Sequence, residues 1–261
     1  MSVDRTAPEL RERLDKAMLS RGLVGSRARA QDLIRRGLVR IDGAIADAAS
    51  RMIRDGEVIT IAEDHAGAHL VSRGGEKLAA ALTHFAFPVA GRIALDVGAS
   101  TGGFTQVLLA AGARRVHAVD VGHGQMHPSL AADPRVIVHE HTDVRAIDAA
   151  LVPDPVTAIV ADVSFISLTK ALPMALARAA ADCWLIALVK PQFEVGRAHV
   201  GKGGIVRDAD ARLRAVEAVT AFVAAQAGWH VVGVIPSPIT GGSGNIEYLL
   251  GATKREEEHE R

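Results

Sequence analysis

"ALDVGASTGGFTQVLLAAG", residues 94–112, sets a strand, a glycine-rich turn and a helix in succession. Its glycines are spaced Gly98-x-x-x-Gly102-Gly103, not G-x-G-x-x-G, which argues against a nicotinamide fingerprint. Glycines at such a turn let the backbone approach a ligand at the helix N-terminus. The next strand, "VHAVD", ends in Asp120, 22 residues after Gly98, where a carboxylate suits the two hydroxyls of a ribose. After the third strand, "HTDVR" offers Thr142 and Asp143 at another carboxyl end, beside which an adenine can lie. A glycine-rich turn alone often serves only tight packing. The strand–helix–strand context and the acid at Asp120 point to a ligand.

Outward from this loop the pattern alternates, with strands expected at 93–97, 116–121, 136–139, 158–161, 184–189, 231–235 and 247–250. Helices are expected near 74–85, 104–111, 167–180 and 209–227. That alternation predicts an α/β, Rossmann-like fold with a doubly wound, mostly parallel sheet over residues 72–252. The totals agree: 261 residues, 49% apolar, can bury a sizeable core built mainly of Ala, Val, Leu and Ile, since aromatics are only 3%. A single cysteine, Cys183, excludes a disulfide framework and a thiolate metal site and fits a reducing cytoplasm. The opening "MSVDRTAPEL" lacks an apolar signal core, and the longest candidate span, 171–189, carries Arg178, Asp182 and Pro173, so no membrane segment is expected.

Net charge is zero but uneven: residues 11–40 hold nine basic and three acidic side chains. A basic head on a neutral protein points to a local polyanion contact, while a solvated helical face is the ordinary reading of a charge run alone. The head reads as a small α+β unit over 11–64. A helix over 11–21 stops at Gly22, and a second, capped by Ser26, ends at Gly37 with Arg27, Gln31 and Arg35 on one face. "VRIDGA" and "DGEVITI" then give strands with Asp-Gly turns. This head resembles the S-four-like (alpha-L) RNA-binding domain. The resemblance implies contact with structured RNA, for which Arg13, Arg21, Arg27, Arg29, Arg35, Arg36 and Arg40, with Arg73 beyond the head, are the candidates. A polar linker is expected at 65–71 and a charged tail at 253–261.

"WLIALVK", 184–190, ends an apolar strand in a lysine, and an ammonium there is costly to desolvate unless something polar meets it. Asp162 closes the preceding strand, and the two opposite charges can meet. Lys77 opens the helix of "SRGGEKL", and Glu247 begins the last strand after a glycine-rich loop. Taken singly each has a plain structural explanation: Lys190 can snorkel, Asp162 can cap a helix, Lys77 can be a solvated helix residue and Glu247 a turn residue.

Together Lys77, Asp162, Lys190 and Glu247 resemble the Lys–Asp–Lys–Glu tetrad of FtsJ-type ribose 2'-O-methyltransferases. The glycine loop is most similar to motif I of S-adenosylmethionine-dependent methyltransferases, which carries cofactor contacts over to Asp96, Gly98, Ala99, Ser100, Gly102, Gly103 and Phe104. With "LDVGASTGGFT", "ADVSFISL", "LVKPQFE" and "GNIEYLL", nearly the whole chain resembles the TlyA family. That resemblance implies ribosomal RNA or a ribosomal subunit as partner, S-adenosylmethionine as cofactor, and methylation of a cytidine 2'-hydroxyl. Lys190 is then the expected base, with partial burial and Lys77 lowering its pKa and the two acids opposing that while they orient the lysines, and with Lys77 holding the hydroxyl and the oxyanion. A monomer is the expected state.

The loop at 196–206 is long and glycine-rich, and reads equally as a cover over RNA, with Arg197 and Lys202 near phosphates, or as a surface loop. His123, His127, His139 and His141 lack a matching ligand pattern, so no metal site is expected. Two rivals remain: a membrane-active haemolysin, which needs an apolar or amphipathic span not evident here, and a non-catalytic RNA-binding assembly factor, which an incomplete tetrad would favour.

Overall fold

A computed structural model describes residues 11–24, 27–35, 37–62 and 70–255, with the side chains of Ala28, Arg29, Asp32 and Arg35 outside that description. Ser26, Arg36 and most of the expected linker and tail also lie outside the described residues. The chain divides into two compact units, residues 1–73 and 74–261.

In the first unit β1 (Glu12–Arg13) leads into α1 (Leu14–Ser20) and α2 (Arg27–Arg35), followed by β2 (Val39–Ile41), β3 (Ala44–Ile45), β4 (Met52–Ile53) and β5 (Ile59–Ile61). β2 and β3 form a hairpin whose turn residues, Asp42 and Gly43, both take positive φ (48° and 84°), the geometry that favours an Asp-Gly pair. Leu14, Met18, Leu33, Ile34, Val39, Ile41 and Ile53 close one small core.

The second unit runs α3 (Gly74–Phe85), β6 (Ile93–Val97), α4 (Gly103–Ala110), β7 (Arg115–Val119), α5 (Pro128–Ala131), β8 (Val136–His139), β9 (Val156–Ala161), α6 (Leu168–Ala177), β10 (Ala179–Val189), α7 (Pro191–Glu194), α8 (Ala209–Ala224), β11 (Trp229–Pro236) and β12 (Tyr248–Lys254). Its seven strands lie in the order β11-β12-β10-β9-β6-β7-β8, and β12 alone is antiparallel to its neighbours. This is the doubly wound, mostly parallel sheet that the alternation predicted. The chain order reverses between β6 and β9, the switch point where such sheets hold ligands beyond the strand ends.

Three departures from the expected boundaries have physical causes. α6 stops at Ala177, not at 180, because Ala179 already pairs with Val156 of β9; sheet pairing overrides alanine's helical preference. α8 stops at Ala224, and Gly228 (φ 74°) turns so tightly that a Cβ there would lie 2.8 Å from the Arg255 carbonyl oxygen. β7 ends at Val119 because the Val119 carbonyl is taken by the amides of Gly98 and Ala99 from the glycine loop and the Gly122 amide donates to the Asp120 side chain.

α3 is locked to the sheet by aromatic packing. Phe85 stacks on Phe87 and Phe87 on Trp184, each at 5.4 Å. Phe85 also presses on Gly251 of β12, where a Cβ would stand 2.9 Å from the ring. That fixes the helix carrying Lys77 beside the strand that follows Glu247.

Candidate active site

The carboxyl edge of the sheet gathers five charged side chains from five adjacent strands. Glu247 precedes β12, Lys190 follows β10, Asp162 follows β9, Asp96 lies in β6 and Asp120 follows β7. Neighbouring strands are about 4.8 Å apart, so each side chain stands one short step from the next.

On the β6–β7 side, Gly98 (φ 86°) turns directly against β9: a Cβ there would lie 2.7 Å from the Asp162 carbonyl oxygen. Gly102 (φ 92°) starts α4, and a Cβ there would meet the Met126 sulfur at 2.6 Å. Asp120 is held open by its own backbone: Oδ2 accepts the Ser100 amide at 2.8 Å and Oδ1 the Gly122 amide at 2.7 Å. Each oxygen keeps a lone pair for a hydroxyl donor. Beneath the loop Asp96 is fully buried; Thr105 Oγ1 donates to its Oδ2 at 2.6 Å, and Oδ1 has no hydrogen-bond partner among the described residues. Burial first, and then the charges of Asp162 and Asp120, push its carboxyl up to about 7. Three carboxylates converging on one edge suit a cationic ligand.

Thr142 donates to the Glu140 carbonyl at 3.0 Å, and Asp143 is gripped by Arg145 at 2.5 Å, which holds its carboxyl well below the usual range. Asp143 also caps the following 3-10 turn, so its free capacity is smaller than its position in the sequence suggested.

The four tetrad residues form two ion pairs of different character. Lys77 Nζ and Glu247 Oε2 are 2.5 Å apart and almost wholly buried, with 6% and 3% of their side chains exposed. Lys190 Nζ lies 2.6 Å from Asp162 Oδ1 in a pair that water reaches, at 11% and 22% exposure, and it donates an aligned hydrogen bond to Ser164 Oγ at 2.9 Å. Val189 faces Tyr248 across the β10–β12 ladder, so Lys190 and Glu247 leave the sheet side by side. Ser164, Thr105 and Asn245 are partners the sequence reading missed. Their only signal was position, one to three residues from a charged motif or within the glycine-loop helix.

In the first unit Asp15 organises the basic surface. It is fully buried and accepts from Arg13 (3.0 Å), Arg27 (2.8 Å) and Gln31 (2.9 Å), which hold its carboxyl far below the usual range. Arg13 and Arg27 thus do structural service while keeping 41% and 46% of their side chains exposed. Arg21 donates to the Glu57 carbonyl and Arg40 to that of Gly43. Arg36 and the side chains of Arg29 and Arg35 lie outside the described residues.

The histidines are engaged elsewhere. His123 pairs with Glu140 at 2.8 Å and stacks on His141, His127 caps α5, and His139 bonds His117, whose far nitrogen meets Asp154. Among the described residues no group of three or more His, Cys, Asp or Glu could hold a metal ion, and no helix is long and apolar enough to cross a membrane.

Comparison with known proteins places this geometry. A family model of FtsJ-like methyltransferases matches residues 70–254, and an S4 domain model matches residues 12–59. The 16S/23S rRNA (cytidine-2'-O)-methyltransferase TlyA of Mycobacterium tuberculosis is 49% identical over 92% of this chain and 89% of its own. Hemolysin A of Brachyspira hyodysenteriae is 40% identical over 91% and 98%. A solved structure described as a hemolysin from Streptococcus thermophilus is 39% identical, with a TM-score of 0.75 over 96% of this chain and 90% of that one. By family model, identity and near-complete coverage alike, the chain belongs to the TlyA family of FtsJ-like methyltransferases.

Proposed function

We propose that this chain transfers a methyl group from S-adenosylmethionine to a cytidine ribose 2'-hydroxyl in ribosomal RNA. The observation that carries the reading is the row Glu247, Lys190, Asp162, Asp96, Asp120 along one sheet edge, acidic toward β6 and β7, with Lys77 of α3 paired to Glu247 at the other end. The name of the tuberculosis relative supplies the substrate.

The residues present fit the donor. Asp120 offers acceptors for a ribose diol, and Gly98 and Gly102 let the turn pack tightly against Asp162 and Met126 with left-handed backbone that sets the loop at the strand ends. Ala99, Ser100 and Phe104 complete that loop and helix start, with Thr142 and Asp143 on the adenine side. Asp96 keeps one buried oxygen without a partner, suited to the cationic end. Bound there, S-adenosylmethionine supplies a methyl group made electrophilic by a positively charged sulfur.

The acceptor chemistry falls to the tetrad. A ribose hydroxyl attacks only as it loses its proton, and Lys190 Nζ, in its unprotonated form, takes that proton. Asp162 and Ser164 hold Nζ in place. Lys77, held by Glu247, serves the developing alkoxide. Much of the remaining rate comes from alignment of hydroxyl and methyl. Arg13, Arg21, Arg27, Arg29, Arg35, Arg36 and Arg40 of the first unit, with Arg73, hold the RNA through its phosphates.

The test is transfer of labelled methyl to unmethylated small and large ribosomal subunits offered separately, with modified nucleosides read by mass spectrometry. Label on a cytidine ribose, absent with Lys190→Ala, is the expected result. Donor binding without transfer to either subunit would overturn it and leave a non-catalytic RNA-binding role.

A further inference from the structure

The segment between Lys190 and α8 is fastened at the catalytic edge by one buried side chain. Asn245 is 1% exposed. Its Oδ1 accepts the Val206 amide at 2.9 Å, and its Nδ2 donates to the Gly204 carbonyl at 2.8 Å. Gly201 and Gly204 close the turn on themselves, through Gly201 N to Ile205 O and Gly204 N to Gly201 O, both 3.0 Å. Arg212 clamps the exit by donating to the carbonyls of Val206 and Arg207 at 3.0 and 2.8 Å. Asn245 stands two residues before Glu247, and the segment follows directly on Lys190, so it is tied in sequence to two members of the tetrad. The 201–207 turn (the wall) is thus a fastened one, next in sequence to the catalytic edge.

The wall is basic in surroundings that are not. Residues 74–261 carry 17 Lys and Arg against 19 Asp and Glu, yet 195–207 contains Arg197, His199, Lys202 and Arg207 and no acid. All four basic side chains are exposed, and among the described residues none has a recorded hydrogen bond or ion pair with a carboxylate. The acids next in sequence are occupied: Asp208 caps α8 and faces Arg214 at 3.7 Å, and Asp210 lies in the helix's first turn. The Arg207 guanidinium lies over Gly201, the residue before Lys202, 3.6 Å from where a Cβ would stand. Unneutralised cations held rigidly next to a ribose-modifying centre suit a polyanionic strand.

Resting on the function proposed above, we infer that Lys202 and Arg207, on the wall pinned by Asn245, bind phosphates of the acceptor RNA flanking the reacting ribose. These are contacts of the methyltransferase unit itself, additional to the arginines of the first unit. Phosphate contacts of this kind position a strand without reading its sequence.

The test compares wild type with Lys202→Gln/Arg207→Gln, binding unmethylated subunits and the RNA extracted from them at 50 to 200 mM salt. Each lost phosphate contact lowers the slope of log affinity against log salt by about 0.9, so the double variant drops by up to about 1.8. At the lowest salt its affinity falls about tenfold or more, the methylation loss falls mainly on KM, and Lys202→Arg/Arg207→Lys restores both. Affinity for S-adenosylhomocysteine, measured alongside, reports that the unit is folded. An unchanged slope and KM in a folded variant overturns the inference. So does a loss seen with intact subunits but not with naked RNA, which assigns the wall to a ribosomal protein. If wild type itself methylates neither subunit, the parent reading has failed instead.

Discussion

Removing either member of the Lys77–Glu247 pair is expected to damage the fold, whereas removing Lys190 is expected to damage only the chemistry. The first pair is 2.5 Å apart with at most 6% of either side chain exposed. At an effective dielectric near 20, charges at that distance attract by about 7 kcal/mol, against a desolvation penalty of several kcal/mol for each ion. The pair as a whole is therefore close to neutral for stability, but a lone survivor is not. Glu247→Leu strands a buried ammonium and Lys77→Met a buried carboxylate, and each should cost about 3–5 kcal/mol. The double substitution removes both charges and should return to within about 2 kcal/mol of wild type, so the two effects should be far from additive. Lys190 and Asp162 are in reach of water, at 11% and 22% exposure, and Lys190→Met should cost less than about 2 kcal/mol. Its methyl transfer should nonetheless fall by about 10²–10⁴-fold.

The assay is urea unfolding followed by tryptophan fluorescence. Both tryptophans, Trp184 and Trp229, are buried in the seven-stranded sheet, so the signal reports the second unit alone. If Glu247→Leu proves as mild as Lys190→Met, or if the double variant loses as much as the two singles combined, the distinction between a buried pair that the fold depends on and a water-reached pair that it does not is refuted.

Gly98→Ala forces a left-handed backbone (φ 86°) on a residue with a Cβ, 2.7 Å from the Asp162 carbonyl oxygen. The glycine loop must then move, and S-adenosylhomocysteine affinity by calorimetry should fall at least about tenfold, since left-handed backbone alone costs about 1–2 kcal/mol; unchanged affinity refutes the close-approach argument. Asp96 is pushed up to about 7 by burial, so between about pH 4 and 7 the folded state keeps a proton that the unfolded state has lost. Stability of the second unit should therefore fall as pH rises across that window, by up to about 4 kcal/mol, then level off, and Asp96→Asn should remove the slope. Asp15 is shifted the other way by Arg13, Arg27 and Gln31. Its contribution is present above the ordinary carboxylate range and lost as pH falls through and below it, so amide exchange in α1 and α2 should quicken on acidification, and Asp15→Asn should show the quickened rate already at neutral pH.

The strand and helix positions and the doubly wound sheet class were legible because they follow from periodicity and from glycine placement, which are local signals, whereas the strand order is a tertiary result. Lys190 at the end of "WLIALV" posed its own question, and a partner at the end of the neighbouring strand was its natural answer; the ion pair with Asp162 is there at 2.6 Å. Lys77 was less transparent. Its partner lies 170 residues away, and the sequence reading set it beside Lys190, whereas its recorded partner is Glu247. That pairing depends on how Phe85 seats α3 over Gly251, a tertiary fit with no local trace. Asp15 was equally opaque. Counting charges marked the head as basic, but not that Arg13 and Arg27 divide their guanidinium groups between a buried carboxylate and the surface.

Asn245 shows why such residues escape a reading made from motifs. Its identity matters because only an amide offers a donor to Gly204 and an acceptor to Val206 from one side chain, without bringing a charge into a buried position. A carboxylate there would face the Gly204 carbonyl with a lone pair, and a leucine would leave two backbone groups unsatisfied at about 1–3 kcal/mol each. In "GNIEY" the glutamate draws attention as the charged residue, yet both residues fasten distant chain: Glu247 fixes Lys77 of α3, and Asn245 fixes the 204–206 turn between Lys202 and Arg207. The proposed chemistry and the proposed phosphate contacts thus share one short segment at the start of β12, and a perturbation there should reach both.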